Sequence, residues 1–169
     1  LLGCAIQLNS TIGNYAWGQI QESLPFEAVG LIGVDAFSGS SLAFDLTNGT
    51  LALLEMPVEG SHEPFIMGSP VVRCQIGEEN LLAVLETGAG LAYLRDSRFA
   101  SFGKPLGGAR DCHPMLGELE VDTVDCSVTL GNQSMTEIFG LATEDLQRLM
   151  QMSKIDAILA TSWFEKCVI

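Results

Sequence analysis

Leu81-Leu82-Ala83-Val84-Leu85-Glu86-Thr87-Gly88-Ala89-Gly90 is an apolar run that ends abruptly in a carboxylate, a hydroxyl and a glycine. The five apolar residues predict a strand, and the break at Glu86 predicts a loop at its end. Each loop residue has a physical use. Glu86 presents a carboxylate at the strand end, the Thr87 hydroxyl beside it can lock the loop, and Gly88 leaves backbone N–H groups free to approach the carboxylate.

Working outward, short apolar runs punctuated by glycine recur along the whole chain, the pattern of an all-β protein with tight turns. Leu42 to Leu46 and Thr50 to Leu54 flank Thr47-Asn48-Gly49 and predict a hairpin. Further strands are expected at Pro70 to Ile76, Glu118 to Val121, Asp125 to Leu130 and Ser134 to Gly140. One long helix stands out: Thr143 can cap it, Glu144 and Asp145 suit the positive end of its dipole, and Leu146, Leu149 and Met150 recur at helical spacing. That apolar stripe predicts a core-facing surface.

A weak internal repeat is also present. Val29-Gly30-Leu31-Ile32-Gly33-Val34-Asp35-Ala36-Phe37 aligns with Asp156-Ala157-Ile158-Leu159-Ala160-Thr161-Ser162-Trp163-Phe164. Each run has an apolar pair, a small residue, three variable positions and a phenylalanine.

Together these motifs resemble the aspartic peptidases of the pepsin and retropepsin type. Their signature is an apolar strand ending in Asp-Thr-Gly-Ala or Asp-Thr-Gly-Ser, followed later by two apolar residues and Gly and then a short helix bearing Phe or Leu. Glu86-Thr87-Gly88 is similar to the first element, and Ile158-Leu159-Ala160 with Trp163-Phe164 to the second. Leu31-Ile32-Gly33 with Phe37 resembles the second element of a preceding lobe. The resemblance implies closed barrel lobes with short helices. It also implies three parts: residues 1–56 as the second half of a first lobe or as strands completing the second, 57–69 as a linker, and 70–169 as a retropepsin-like lobe.

The chain departs from the family in three places. Glu86 stands where the family has aspartate, Ala160 replaces glycine, and no Asp-Thr-Gly loop precedes Leu31. The family's chemistry needs two facing carboxylates that share a proton, one activating water and the other protonating the substrate carbonyl. This chain offers one. The resemblance therefore implies a catalytically impaired module, a pseudoenzyme that binds or scaffolds proteins or peptides. The alternative is an endopeptidase, a hydrolase in which Glu86 meets a second carboxylate from a homodimer partner or a missing segment. Leu1 in place of an initiator Met is expected of a processed or partial chain.

Composition narrows the partners. Eight Lys and Arg against twenty-one Asp and Glu give a formal charge of -13, which repels nucleic-acid phosphates and anionic lipids. The first cation is Arg73, and the preceding stretch, with Glu22, Glu27, Asp35 and Glu55, could face a basic partner or simply solvate the surface. No run approaches the ~18 apolar residues of a membrane span. Protein or peptide partners are expected, with a homodimer or a larger complex possible.

Five cysteines, Cys4, Cys74, Cys112, Cys126 and Cys167, form no paired motif and are expected to be mostly buried thiols. Cys112 and His113 are adjacent, which is not zinc-ligand spacing, and His62 is the only other histidine. No cofactor or metal motif is present. Asn9, Asn48 and Asn132 head Asn-x-Ser/Thr triplets that are glycan acceptors in a secretory compartment, although Asn48-Gly49 and Gly131-Asn132 are also hairpin-turn pairs.

Overall fold

The computed structural model describes residues 66, 68–113, 115–164 and 166–168, with 11–12, 15–16, 18, 21–22, 27–29, 32–33, 37, 40–45 and 47–54. Cys4, Asn9, Leu31, Leu46, Glu55, the 57–65 part of the expected linker with His62, and Val34 to Ala36 of the repeat lie outside the described residues.

The described strands are β1 (Thr11–Ile12), β2 (Tyr15–Ala16), β3 (Ser41–Asp45), β4 (Thr50–Leu54), β5 (Val71–Ile76), β6 (Glu79–Leu85), β7 (Ala92–Leu94), β8 (Gly103–His113), β9 (Gly117–Leu130), β10 (Gln133–Leu141), β11 (Ala157–Leu159) and β12 (Lys166–Val168). The helix α1 spans Glu144–Met152, and 3-10 turns cover Ser97–Phe102 and Thr161–Phe164. The expected all-β class is therefore observed.

Six strands close into a ring in the order β9-β10-β7-β11-β6-β5 and back to β9, with β8 attached outside along β9. Closure rests on the antiparallel β9–β10 and β5–β9 ladders. The three-residue β11 lies between β6, to which it is parallel, and β7, to which it is antiparallel. Inside the ring sit Ile76, Leu94, Val128, Phe139 and Leu159, each essentially without solvent contact. A second cluster, with Val71, Val84, Tyr93, Leu119 and Val121, lies outside it and is covered by Leu146 and Met150 of α1. Thr143 stands at the N-cap, but its side chain makes no capping bond. Leu149 is only half-buried.

The sequence explains most of these elements locally. In β5 the apolar Val71, Cys74 and Ile76 are buried while Arg73 and Gln75 point to water. The two expected hairpin turns form, with Gly49 at φ 63° and Gly131 at φ 58°, conformations that glycine reaches without a Cβ clash.

The expected strands at Glu118 to Val121 and Asp125 to Leu130 are one continuous strand, β9. Its burial alternation slips by one at Thr123 and Val124. Leu119 and Val121 serve the outer cluster, whereas Val124, Cys126 and Val128 serve the barrel interior. The slip coincides with a bulge in β8 between Pro105 and Gly107, pinned by a hydrogen bond from Thr123 Oγ1 to the Gly107 carbonyl (2.7 Å). β8 itself, rich in glycine and carrying a proline, is an edge strand, the place where such residues are tolerated.

Separately, β3 and β4 form the expected hairpin, and β12 pairs antiparallel with β3 to make a three-stranded sheet in the order β12-β3-β4.

Candidate functional site

The Glu86 loop is held by backbone bonds on both sides. Leu85 N–H donates to the Pro70 carbonyl (2.9 Å), Glu86 N–H to the Leu159 carbonyl (3.0 Å), and Ala89 N–H to the Glu86 carbonyl (3.2 Å). Thr161 N–H reaches the Ala89 carbonyl (3.4 Å) from beyond β11. Glu86, Thr87 and Gly88 thus lie against Ile158, Leu159 and Ala160. Leu159 and Ala160 are buried, and Ile158 is half-buried.

The Glu86 carboxylate is half-buried and turned toward its own surroundings. Oε1 accepts from Gly88 N–H (3.3 Å), and Oε2 accepts from the Ser69 hydroxyl (3.4 Å). A Cβ at Gly88 would stand 3.6 Å from Oε1, an ordinary contact, so this approach alone does not require glycine. Thr87 and Gly88 are exposed.

The end of the β8–β9 hairpin supplies the charged neighbours. His113 is half-buried, its Nδ1 accepts from Met115 N–H (3.2 Å), and its carbonyl accepts from Leu116 N–H (3.1 Å). Burial lowers the imidazole pKa from its usual value, while the negative charges of Asp111 and Glu86 pull it partly back. From β7 the buried Tyr93 donates its phenol to Asp111 Oδ2 (2.6 Å). Burial first, and that bond second, hold the phenol protonated far above its ordinary range.

A second acid-centred cluster clamps the strands beneath the loop. Asp156 Oδ2 accepts from Leu82 N–H (3.0 Å), Asp156 N–H donates to the Leu82 carbonyl (2.7 Å), and the Arg95 guanidinium pairs with the same carboxylate. Glu137, buried on β10, accepts from the Ser162 hydroxyl and from Ile138 N–H (3.2 Å). Among the described residues, no second carboxylate is hydrogen-bonded to Glu86. Among them, too, no group of His, Cys, Asp and Glu is arranged to hold a metal ion.

The earlier run of the repeat behaves differently. Ile32 is 72% exposed, whereas its counterpart Leu159 is fully buried. Gly33 is exposed, and among the described residues no hydrogen bond or core contact joins either residue to the Glu86 loop. Sequence reading missed Ser69, Asp111, Tyr93 and His113. Only Cys112-His113 carried a signal, and it pointed to metal spacing rather than to a hairpin end.

Cys74 and Cys126 are buried thiols and Cys112 is exposed. Burial, reinforced by Asp156, pushes the Cys74 thiol up to about 11, which keeps it protonated and inert.

No family model and no curated protein matches the chain. Among solved structures it is similar to the solution structure of Simian Foamy Virus (mac) protease, with a TM-score of 0.39 and 14% identity over 54% of this chain and 88% of that one.

Proposed function

We propose that this chain is an aspartic-peptidase-like barrel with an impaired catalytic loop, and that it binds or scaffolds proteins or peptides. The observation that carries this reading is the disposition of Glu86. Its two carboxylate oxygens are occupied by Gly88 N–H and by Ser69, and its ionisable neighbour is an imidazole. A peptidase of this type needs a facing acid that shares a proton, so that water is activated on one side and the carbonyl protonated on the other. A histidine held by Met115 N–H does not substitute for that acid. Glu86 acts here as an acceptor that closes its loop, leaving the surface to recognise partners.

The test is incubation of the purified chain with an unfolded protein across pH 3 to 7, beside the Glu86→Gln variant. No cleavage above the variant's background is expected. Cleavage that disappears on Glu86→Gln would overturn the reading in favour of a peptidase whose second acid comes from another copy or segment.

A further inference from the structure

We propose that Asn48 is a site of spontaneous covalent modification, in which the Gly49 backbone nitrogen displaces the side-chain amide, and that Asp45 restrains the reaction while the β3–β4 hairpin is closed. The chemistry needs nothing from the Glu86 loop and stands apart from the function proposed for it.

The step is an intramolecular acyl transfer. Gly49 N loses its proton to water or hydroxide and attacks Asn48 Cγ. The new N–Cγ bond closes a succinimide, the Cγ–Nδ2 bond breaks, and the nitrogen leaves as ammonia. Water then opens the imide at either carbonyl, giving aspartate or isoaspartate. No oxidant or reductant is consumed.

Three observations assign the reaction to Asn48. The first is the residue that follows. A side chain there obstructs the attack, and glycine has none. Asn48-Gly49 is the one Asn-Gly pair in the chain, the other asparagines preceding Ser10, Tyr15, Leu81 and Gln133. The second is the backbone. Gly49 lies between Asp45 and Thr50, the end pair of the β3–β4 ladder, so its nitrogen stands outside that ladder. Leu81 and Gln133, by contrast, are strand residues in register with Cys74 and Leu130. The third is access. Asn48 and Gly49 are exposed, and a Cβ at Gly49 would meet nothing within 4 Å, so water reaches both the nitrogen and the imide.

Asp45 supplies the restraint. Its Oδ2 accepts from Asn48 Nδ2 (2.8 Å), and its Oδ1 accepts from Asn48 N–H (3.0 Å). One bond fixes the side-chain amide and the other the backbone beside it, so Cγ does not swing toward Gly49 N until these charge-assisted contacts release. The product then exchanges a donor for a second carboxylate against Asp45, and isoaspartate also lengthens the turn by a methylene. Both changes weaken the hairpin end.

The full chain is incubated at mildly alkaline pH, native and in urea, and mapped with chymotrypsin, because residues 1 to 72 offer trypsin no Lys or Arg. Asn48 should show the amide-to-acid mass gain before Asn80 or Asn132 does, with isoaspartate identified by electron-transfer fragmentation. Gly49→Ala, compared in urea where the folded φ of 63° imposes no strain, should slow the reaction severalfold. Asp45→Ala should speed it by roughly tenfold in the folded chain, the worth of about one hydrogen bond to a charged acceptor, and little in urea. Asp45 also stands opposite Lys166 on β12, so Lys166→Ala controls for a loosened sheet: it keeps both Asn48 bonds and should react at close to the wild-type rate. Circular dichroism checks that the variants stay folded.

No mass gain at Asn48 in the native chain, or an earlier gain at Asn80 or Asn132, would overturn the site. Equal native rates for wild type and Asp45→Ala, or an equal acceleration by Lys166→Ala, would overturn the restraint.

Discussion

Glu86 differs from aspartate by one methylene, and shortening the side chain tests whether carboxylate reach alone accounts for the proposed impairment of the loop. Glu86→Asp is expected to show no efficient cleavage of an unfolded protein between pH 3 and 7, because moving one carboxylate by about 1 Å does not supply the partner acid. Robust turnover by a monomeric variant would contradict this. His113 gives a second expectation at the same scale. Burial makes the imidazole titrate lower in the folded chain than in the unfolded one, so the folded state binds fewer protons. Its contribution to stability is present above the unfolded value of about 6.5 and is lost as pH falls through the folded value. Urea midpoints of wild type should decline between pH 7.5 and 5.5, and His113→Gln should decline less over that window. Equal slopes would show that the imidazole is not protected. Glu86 was legible in the sequence because an acid closing an apolar strand is conspicuous. His113 and Ser69 were not: Ser69 meets it only once β5 and β6 pair in register, and His113 comes from the far end of β8.

Single positions also decide whole elements. Gly103 begins β8 where a Cβ would lie 2.0 Å from the Asp125 carbonyl oxygen, 2.6 Å from Cys126 Sγ and 2.7 Å from Val124 Cγ2. The first of these is backbone and cannot rotate away. Gly103→Ala should therefore destabilise the chain by about 1–3 kcal/mol or more, read as a fall in urea midpoint at unchanged slope. An unchanged midpoint would mean that β8 shifts freely along β9. The same region shows why strand boundaries were only partly readable. The polar phase slip at Asp122-Thr123-Val124 looks like an interruption in one dimension, but the neighbouring strand absorbs it as a bulge, and the backbone runs straight through. Conversely, Gly103, Pro105, Gly107 and Gly108 look like turn residues, and only the edge position of β8 accommodates them as a strand. The Asn48-Gly49 and Gly131-Asn132 turns were legible because their φ requirement is met within two residues.

Across the whole molecule, stability depends on the ring interior, where Phe139 has no solvent-accessible surface. Phe139→Ala should cost about 3–5 kcal/mol, combining lost transfer energy with the cavity left behind. Thermal or urea unfolding would measure it, and a loss below about 1 kcal/mol would mean that the interior collapses to refill the space. The all-β class was legible from strand runs and turns. Which strands are neighbours was less so, because β7 and β11 have three residues each, too few for periodicity to place them. The insertion of β11 between β6 and β7 has a consequence for how the protein is made. Synthesis proceeds from the N-terminus, so β6 and β7 leave the ribosome well before residues 157–159 exist. During that interval their facing edges, with Ala83 and Leu85 on one and Tyr93 and Leu94 on the other, have no mate. Those edges stay exposed or transiently collapsed in the nascent chain until residues 157–159 arrive and let the ring shut.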